Sequence, residues 1–224
     1  MASPTAPRRR SARDPTVARP TTALDRPAGD RSMWPWEHLA VGYLAYAVVG
    51  RLVWREPPTG TTAAAVAVGT QFPDLVDKPL GWWLGVLPGG TTLAHSLLTA
   101  VPLSLAVLVV GAAAGRERPA LAFVVGYLSH LPGDVLYPVV LGGDAKLWFL
   151  LWPLRAAPGD GPDHTVPYVL ALAEQFLGFL ATPLGAAYLT AELLLLALAG
   201  WVWTLDGRPG LAWLLPRPDR AENC

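Results

Sequence analysis

Apolar segments that carry almost no charge fill most of the chain between residues 33 and 205. Hydrophobic residues make up 52% of the sequence and charged residues only 15%, whereas about 25% of a typical soluble domain is charged. A helix of about 20 apolar residues is long enough to cross the hydrocarbon core of a bilayer. The sequence therefore predicts an all-α polytopic membrane protein with about five or six spans, joined in places by short interfacial or re-entrant segments.

Breaks rich in proline, glycine and charge divide the apolar region into segments that we predict as helices. They cover residues 34–54, 61–76, 91–113, 120–141, 166–181 and 184–204. Thr91 or Thr92 is the expected N-cap of the third segment, and Pro132 is expected to kink the fourth. The segments 81–90 and 146–155 are too short to cross a bilayer, so we expect them to lie in the interface or to re-enter the membrane.

The two ends of the chain differ from this membrane domain of residues 33–205. Residues 1–32 are rich in proline, arginine, threonine and alanine without an apolar period, which predicts disorder. Residues 206–224 form a polar, proline-rich tail. The formal net charge is zero, so no global basic field favours nucleic acid as a partner. The single cysteine, Cys224, excludes a disulfide within the chain and a metal site built from several cysteines.

One stretch, residues 71–96, places two aspartates and a histidine among these apolar segments. Ionisable side chains are costly inside a membrane, so such a cluster is a candidate functional site. If the first four helices alternate in direction, ionisable side chains from four separate helix ends lie on one side of the membrane. They are His38, Asp74, Asp77, His95, His130 and Asp134.

This cluster offers nitrogen and oxygen ligands of the kind that suit Zn²⁺, Mn²⁺ or Fe²⁺. A bound metal lowers the pKa of its water toward about 7 and so generates a nucleophile for hydrolysis. Because the helix ends lie near the lipid headgroups, we expect a phosphoester or a lipid-like molecule as substrate. The alternative is a non-enzymatic scaffold or an ion-binding transporter, since a polar cluster can also bind or conduct an ion.

The residues of the cluster also have ordinary structural explanations. Asp74 and Asp77 can form a solvated turn at a helix end. The i, i+4 spacing of His130 and Asp134 places both on one helical face, but Pro132 can distort that face. From the residues alone, both explanations stay open.

Four motifs occur in order, WPWEHLAVGYL at 34–44, FPDLVDKP at 72–79, LAHSLL at 93–98 and GYLSHLPGD at 126–134. Together they resemble the YdjM-like family of membrane-bound metal-dependent hydrolases, and the first two are most similar to its archaeal members. The resemblance covers residues 33–155. It implies a divalent metal, zinc foremost with manganese or iron as alternatives, and a set of ligands. The implied ligands are His38, Asp74, His95, His130 and Asp134.

The sequence departs from the commoner family pattern at two points. The second acid, Asp77, stands one residue later than usual, and no basic residue precedes His95 within residues 79–90. We predict Asp77 as a further ligand or a general base, and Ser96 as a residue that orients His95 or contacts the substrate.

The expected location is the cell membrane, with the bilayer and a small or lipid-like substrate as partners. Three arginines, at positions 19, 26 and 31, lie close to the start of the first span. Positive residues next to a span are more frequent on the cytoplasmic side. The sequence therefore favours a cytoplasmic position for the polar cluster.

Overall fold

A computed structural model describes residues 33–141, 143–156 and 166–214, and these contain seven helices and no strand. The predicted all-α fold is confirmed. The predicted disordered tail of residues 1–32 and the last ten residues of the C-terminal tail lie outside the described residues. The helices are α1 (Pro35–Val53), α2 (Gly60–Lys78), α3 (Leu97–Ala113), α4 (Glu117–Val140), α5 (Val166–Leu180), α6 (Pro183–Leu205) and α7 (Leu211–Leu214).

Local sequence signals explain where the first two helices begin. The Glu37 carboxylate accepts a hydrogen bond of 2.6 Å from the backbone N–H of Trp34, the residue before α1. At α2, Thr59 accepts from the backbone N–H of Thr62, and the Thr62 hydroxyl accepts from the backbone N–H of Thr59. Each contact satisfies an N–H group that has no partner inside the helix.

The third helix begins later than predicted, at Leu97, and its N-cap is Ser96 instead of Thr91 or Thr92. The backbone N–H groups of Thr92 and Ala94 donate to the carboxylate of Asp77, at 2.7 and 2.9 Å. With the His95 N–H, which also donates to Asp77, these contacts hold residues 92–95 in a turn ahead of the helix.

Helix α4 is the central element and packs against α1, α2 and α3. It continues through Pro132 to Val140. Glycines bring α2 and α4 into backbone contact: a Cβ atom at Gly69 would lie 2.2 Å from the carbonyl oxygen of Phe123, and one at Gly126 would lie 2.6 Å from that of Val66. Small residues of this kind are the usual means of close helix packing in membranes.

Helix α6 runs parallel to α1. Near the start of both helices, the Tyr188 hydroxyl donates to Glu37 at 2.7 Å. Near their ends, Asp206 accepts from the Tyr43 hydroxyl at 2.7 Å and pairs with Arg51. The start of α6 therefore lies at the same end of the molecule as the start of α1.

Two helices, α4 and α6, are long and apolar enough to cross a membrane, and α3 is a shorter apolar helix. Large apolar side chains cover their outer surfaces. Val109 on α3 is 68% exposed and Leu194 on α6 is 66% exposed. Exposed apolar side chains of this kind are expected on helices that contact lipid.

Candidate metal centre

The five predicted ligands meet at one end of the helix bundle, and all are buried. His38 comes from the first turns of α1, Asp74 from the last turns of α2, and His95 from the segment before α3. His130 and Asp134 lie one turn apart on α4. The convergence expected from alternating helices is therefore present in the structure.

The partners of the Nδ1 atoms fix the tautomers of two histidines. Nδ1 of His130 lies 2.6 Å from the carbonyl oxygen of Thr70, which can only accept, so this nitrogen carries the proton. Nδ1 of His95 lies 2.8 Å from the Asp77 carboxylate and donates in the same way. In the neutral rings, both Nε2 atoms therefore present lone pairs, and they lie 3.1 Å apart. Two lone pairs at this distance require a proton or a metal ion near them.

Two carboxylate oxygens point at the same place. Oδ1 of Asp74 and Oδ2 of Asp134 are buried and have no hydrogen-bond partner within the described chain. The Asp134 oxygen lies 3.3 Å from Nε2 of both His95 and His130, and the Asp74 oxygen lies 3.5 and 3.9 Å from them. A buried carboxylate oxygen without a partner is costly, so these atoms are candidates for binding a cation.

The distances that join the two histidine nitrogens to each other and to the two carboxylate oxygens fit a metal ion. A tetrahedral Zn²⁺ site with ligands at about 2.0–2.1 Å separates its ligand atoms by about 3.3–3.4 Å. The separations that involve the two histidine nitrogens run from 3.1 to 3.9 Å. Two nitrogen and two oxygen donors are also a set that zinc accepts.

His38 lies next to this group and forms a second possible set of ligands with His130 and Asp134. Its ring stacks on that of His130 with centroids 3.6 Å apart. Nε2 of His38 lies 3.3 Å from Oδ1 of Asp134, the oxygen that faces away from His95, and neither ring nitrogen of His38 has a hydrogen-bond partner in the described part of the chain. Asp134 therefore joins the two sets, with one oxygen toward each.

Acidic groups outnumber cations around His95, which lies outside the helices. Burial alone lowers the pKa of His95, but the neighbouring carboxylates of Asp134, Asp74 and Asp77 outweigh it and raise that pKa to about 10. Lys78 lies 2.5 Å from the second oxygen of Asp74 and supplies one fixed positive charge. The site thus favours a further positive charge beside His95, and either a proton or a metal ion can supply this charge.

Asp77 stands behind His95 and does not face the other donors. Both of its oxygens accept hydrogen bonds: one from Ala94 N–H, and the other from Thr92 N–H and from the His95 ring. The carboxylate is completely buried. This geometry favours a role in orienting His95 over the predicted role as a further ligand or general base.

Ser96 contacts backbone groups, and its predicted role beside His95 or the substrate stays a prediction. Its hydroxyl donates to the carbonyl oxygen of Trp152 at 2.6 Å and accepts from the backbone N–H of Leu98 at 3.2 Å. These contacts cap α3 and attach it to the segment that contains a 3₁₀ turn at Trp148–Leu151. The hydroxyl is therefore committed to backbone groups instead of to His95 or the donor atoms.

Sequence reasoning missed several groups that support the donors. The Thr70 carbonyl holds His130, and the backbone N–H of Met33 donates to Oδ1 of Asp134 at 3.1 Å. No side-chain signal marks a backbone group, so the sequence could not reveal these two. The ring of Phe149 packs edge-on against His95 with centroids 5.9 Å apart, and only the aromatic composition of residues 146–155 pointed to it.

Comparison with known proteins supports the resemblance seen in the motifs. A family model described as YdjM inner membrane protein matches residues 33–208, which extends beyond the predicted limits of 33–155. No curated protein and no solved structure matches the chain. The particular similarity to archaeal members stays a prediction. The match covers most of the chain, including all six residues of the polar cluster, and the chain therefore belongs to the YdjM inner membrane protein family.

Proposed function

We propose that this protein is a membrane-embedded metal-dependent hydrolase that acts on a phosphoester or lipid-like substrate. The proposal rests on buried donor atoms of His38, Asp74 and Asp134, on three separate helices, that have no hydrogen-bond partner in the described chain. Together with His95 and His130 they form two groups that could each hold a metal ion. Structural polar groups in a membrane protein normally pair with each other. Donors that are held in position but left unpaired favour a bound ion.

The donors of the proposed metal are His95, His130, Asp74 and Asp134, with His38 beside Asp134. Zinc fits the set best, and manganese or iron remain alternatives. Such a metal would polarise a phosphoryl oxygen and activate a water molecule.

Each supporting residue has a role in this proposal. Asp77 and the Thr70 carbonyl hold the rings of His95 and His130 with Nε2 toward the metal. Asp74 is the most exposed of the five donors and lies beside Lys78. We expect Lys78 to attract the negative charge of a bound substrate, because it is the cation next to the cluster and takes the place of the basic residue absent from residues 79–90.

We also propose that five helices cross the membrane. Helices α1 to α4 alternate in direction, and α6 runs parallel to α1, so α5 does not act as a further crossing. Helix α1 has 19 residues, or about 28 Å at about 1.5 Å per residue, which matches the hydrocarbon core. The metal centre then lies at the headgroup level, on the face that the arginines before residue 33 favour as cytoplasmic.

One observation favours the second candidate, an ion-binding protein without hydrolytic activity. His95 and His130 are completely buried, and four protein donors surround the proposed position of the metal. A closed set of four ligands is typical of structural metal sites, whereas catalytic zinc sites keep a position for water. In this alternative the ion would fasten α2, α3 and α4 together.

The test is metal analysis of the purified protein, followed by hydrolysis assays on phosphoester substrates in lipid nanodiscs. We expect a bound transition metal in the wild type and its loss in His95→Ala. Ser104→Ala is the matched control, because Ser104 is buried in α3 and its hydroxyl has no partner within the described chain. Absence of metal from a folded wild-type protein would refute both candidates. Metal without hydrolysis would favour the ion-binding protein.

A further inference from the structure

A groove of about 350 Å³ lies between α1, α4 and α6, on the side of the bundle away from α3. Apolar side chains from all three helices line it, among them Val41, Leu136, Val140 and Leu195. Leu136 and Val140 are each more than half exposed. The groove is therefore open along the outer surface of the bundle.

The inner end of this groove borders the candidate metal centre. Met33 and Gly133 both line the groove, and the backbone N–H of Met33 also donates to Asp134. A Cβ atom at Gly133 would lie 2.7 Å from the Met33 sulfur and 3.1 Å from a ring carbon of His38. Gly133 therefore lies between the groove and His38, and a side chain at this position would collide with Met33 and crowd the His38 ring.

Polar side chains at the groove already have partners. Glu37 accepts hydrogen bonds from the Trp34 backbone and from Tyr188, at 2.6 and 2.7 Å. Glu192 accepts from the indole N–H of Trp36 at 2.5 Å. Because these contacts engage the two carboxylates within the protein, a molecule bound in the groove would contact mainly apolar side chains.

We propose that the groove binds an alkyl chain of a membrane lipid, with the polar end of that lipid next to Met33 and Gly133. The two helices that form its outer walls, α4 and α6, are those long and apolar enough to cross a membrane, so the groove opens toward lipid. The bound alkyl chain is part of the substrate of the hydrolase, and this assignment rests on the proposed function. A lipid seated here has its phosphoester beside His38 and Asp134.

The experiment uses the full chain in nanodiscs of phosphatidylethanolamine and phosphatidylglycerol that contain a phospholipid with a diazirine in its acyl chain. After irradiation, mass spectrometry locates the labelled residues. Two substitutions fill the groove from different helices, Leu136→Trp and Ala191→Phe. Leu105→Trp is the matched control, because Leu105 is 58% exposed on α3, away from the groove.

We expect labels to concentrate on α4 and α6 residues of the groove and to fall several-fold in both filled variants, but not in the control. Equal labelling around all exposed helices, unchanged by either filled variant, would overturn the proposal. In hydrolysis assays, Leu136→Trp should raise KM for a long-chain phosphoester several-fold more than KM for a short water-soluble one.

Metal content distinguishes this proposal from the proposed function. Labelling confined to the groove in a protein that binds no metal would keep the lipid site and remove the hydrolase. Bound metal and hydrolysis with uniform labelling would keep the hydrolase and remove the groove as its substrate site.

Discussion

The two ends of the helix bundle both carry ionisable groups, but they use them differently. At the end away from the metal centre, Arg51 pairs with Asp206, which also accepts from Tyr43, and Arg118 pairs with Glu56. These contacts join α1 to α6 and α4 to the turn before α2. Each of these four charges has an opposite charge beside it, so the two pairs are complete without any further ion.

At the other end, acidic and histidine donors are held in place by groups behind them and face one another. Asp74 and Asp134 each have one buried oxygen without a hydrogen-bond partner in the described chain. Both ring nitrogens of His38 also lack a partner there. The difference teaches that paired charges fasten helices, whereas oriented but unpaired donors mark a place for a ligand. Three substitutions test this distinction, and a fourth tests the helix packing apart from it.

The largest effect is expected for Asp134→Asn, because Asp134 contacts His38, His95 and His130. An amide loses the negative charge that neutralises the metal. We expect metal affinity to fall by more than about 100-fold, beyond the range for residues that only support ligands. Competition with a chromogenic chelator measures it. The control is Asp206→Asn, which changes a carboxylate at the opposite end and should keep full metal affinity. An equal loss of affinity in both variants would show that the two ends do not differ in metal binding.

A smaller loss is expected for Asp77→Asn. The amide oxygen can still accept from the His95 ring, but the NH₂ group of the new side chain cannot accept from the Ala94 backbone N–H that the other oxygen now binds. Loss of such a supporting group reduces metal affinity by about 10–100-fold. The same chelator competition measures the change. An affinity as low as that of Asp134→Asn would instead make Asp77 a ligand.

Gly69→Ala tests helix packing apart from the donors. The added methyl group would collide with the Phe123 carbonyl, and such overpacking costs about 1–3 kcal/mol of unfolding free energy. Thermal unfolding in detergent measures this cost. Gly200→Ala on α6 is the control, since nothing lies within 4 Å of its added Cβ atom. Equal melting temperatures for both variants would contradict the close contact between α2 and α4.

The smallest effect is expected for Arg118→Ala. The Arg118 and Glu56 side chains are 43% and 53% exposed, and exposed ion pairs contribute less than about 1 kcal/mol. Thermal unfolding should change little, and metal content should not change at all. Loss of metal in this variant would mean that the far end supports the metal centre.

The sequence predicted much of the fold because helices in membranes follow apolar length. The bounds of α1, α2, α5 and α6 agree with the expected segments to within one or two residues. The predicted start of α3 was wrong, because Thr92, Ala94 and His95 bond to Asp77, a partner many positions earlier in the chain, and the helix begins only after them. A helix-capping signal such as Thr91 depends only on residues close in the sequence, so it cannot reveal a contact with a distant residue.

The convergence of the donors was predictable for a similar reason. Alternating helices place the start of one beside the end of the next, so His38, Asp74 and His130 had to lie at one end. The partners of each donor were not predictable. The contact of His130 with the Thr70 carbonyl depends on how α2 and α4 are rotated, and that rotation follows from glycine contacts such as Gly126.

The hydrogen bond from Met33 to Asp134 has a practical consequence for engineering. The peptide that leads into α1 enters the domain directly at a proposed metal ligand. A purification tag or fusion partner attached just ahead of Met33 would pull on, or crowd, the carboxylate that joins the two sets of donors. Handles placed after α7 avoid this strain, because Trp213 lies beside Gly60 at the opposite end of the bundle.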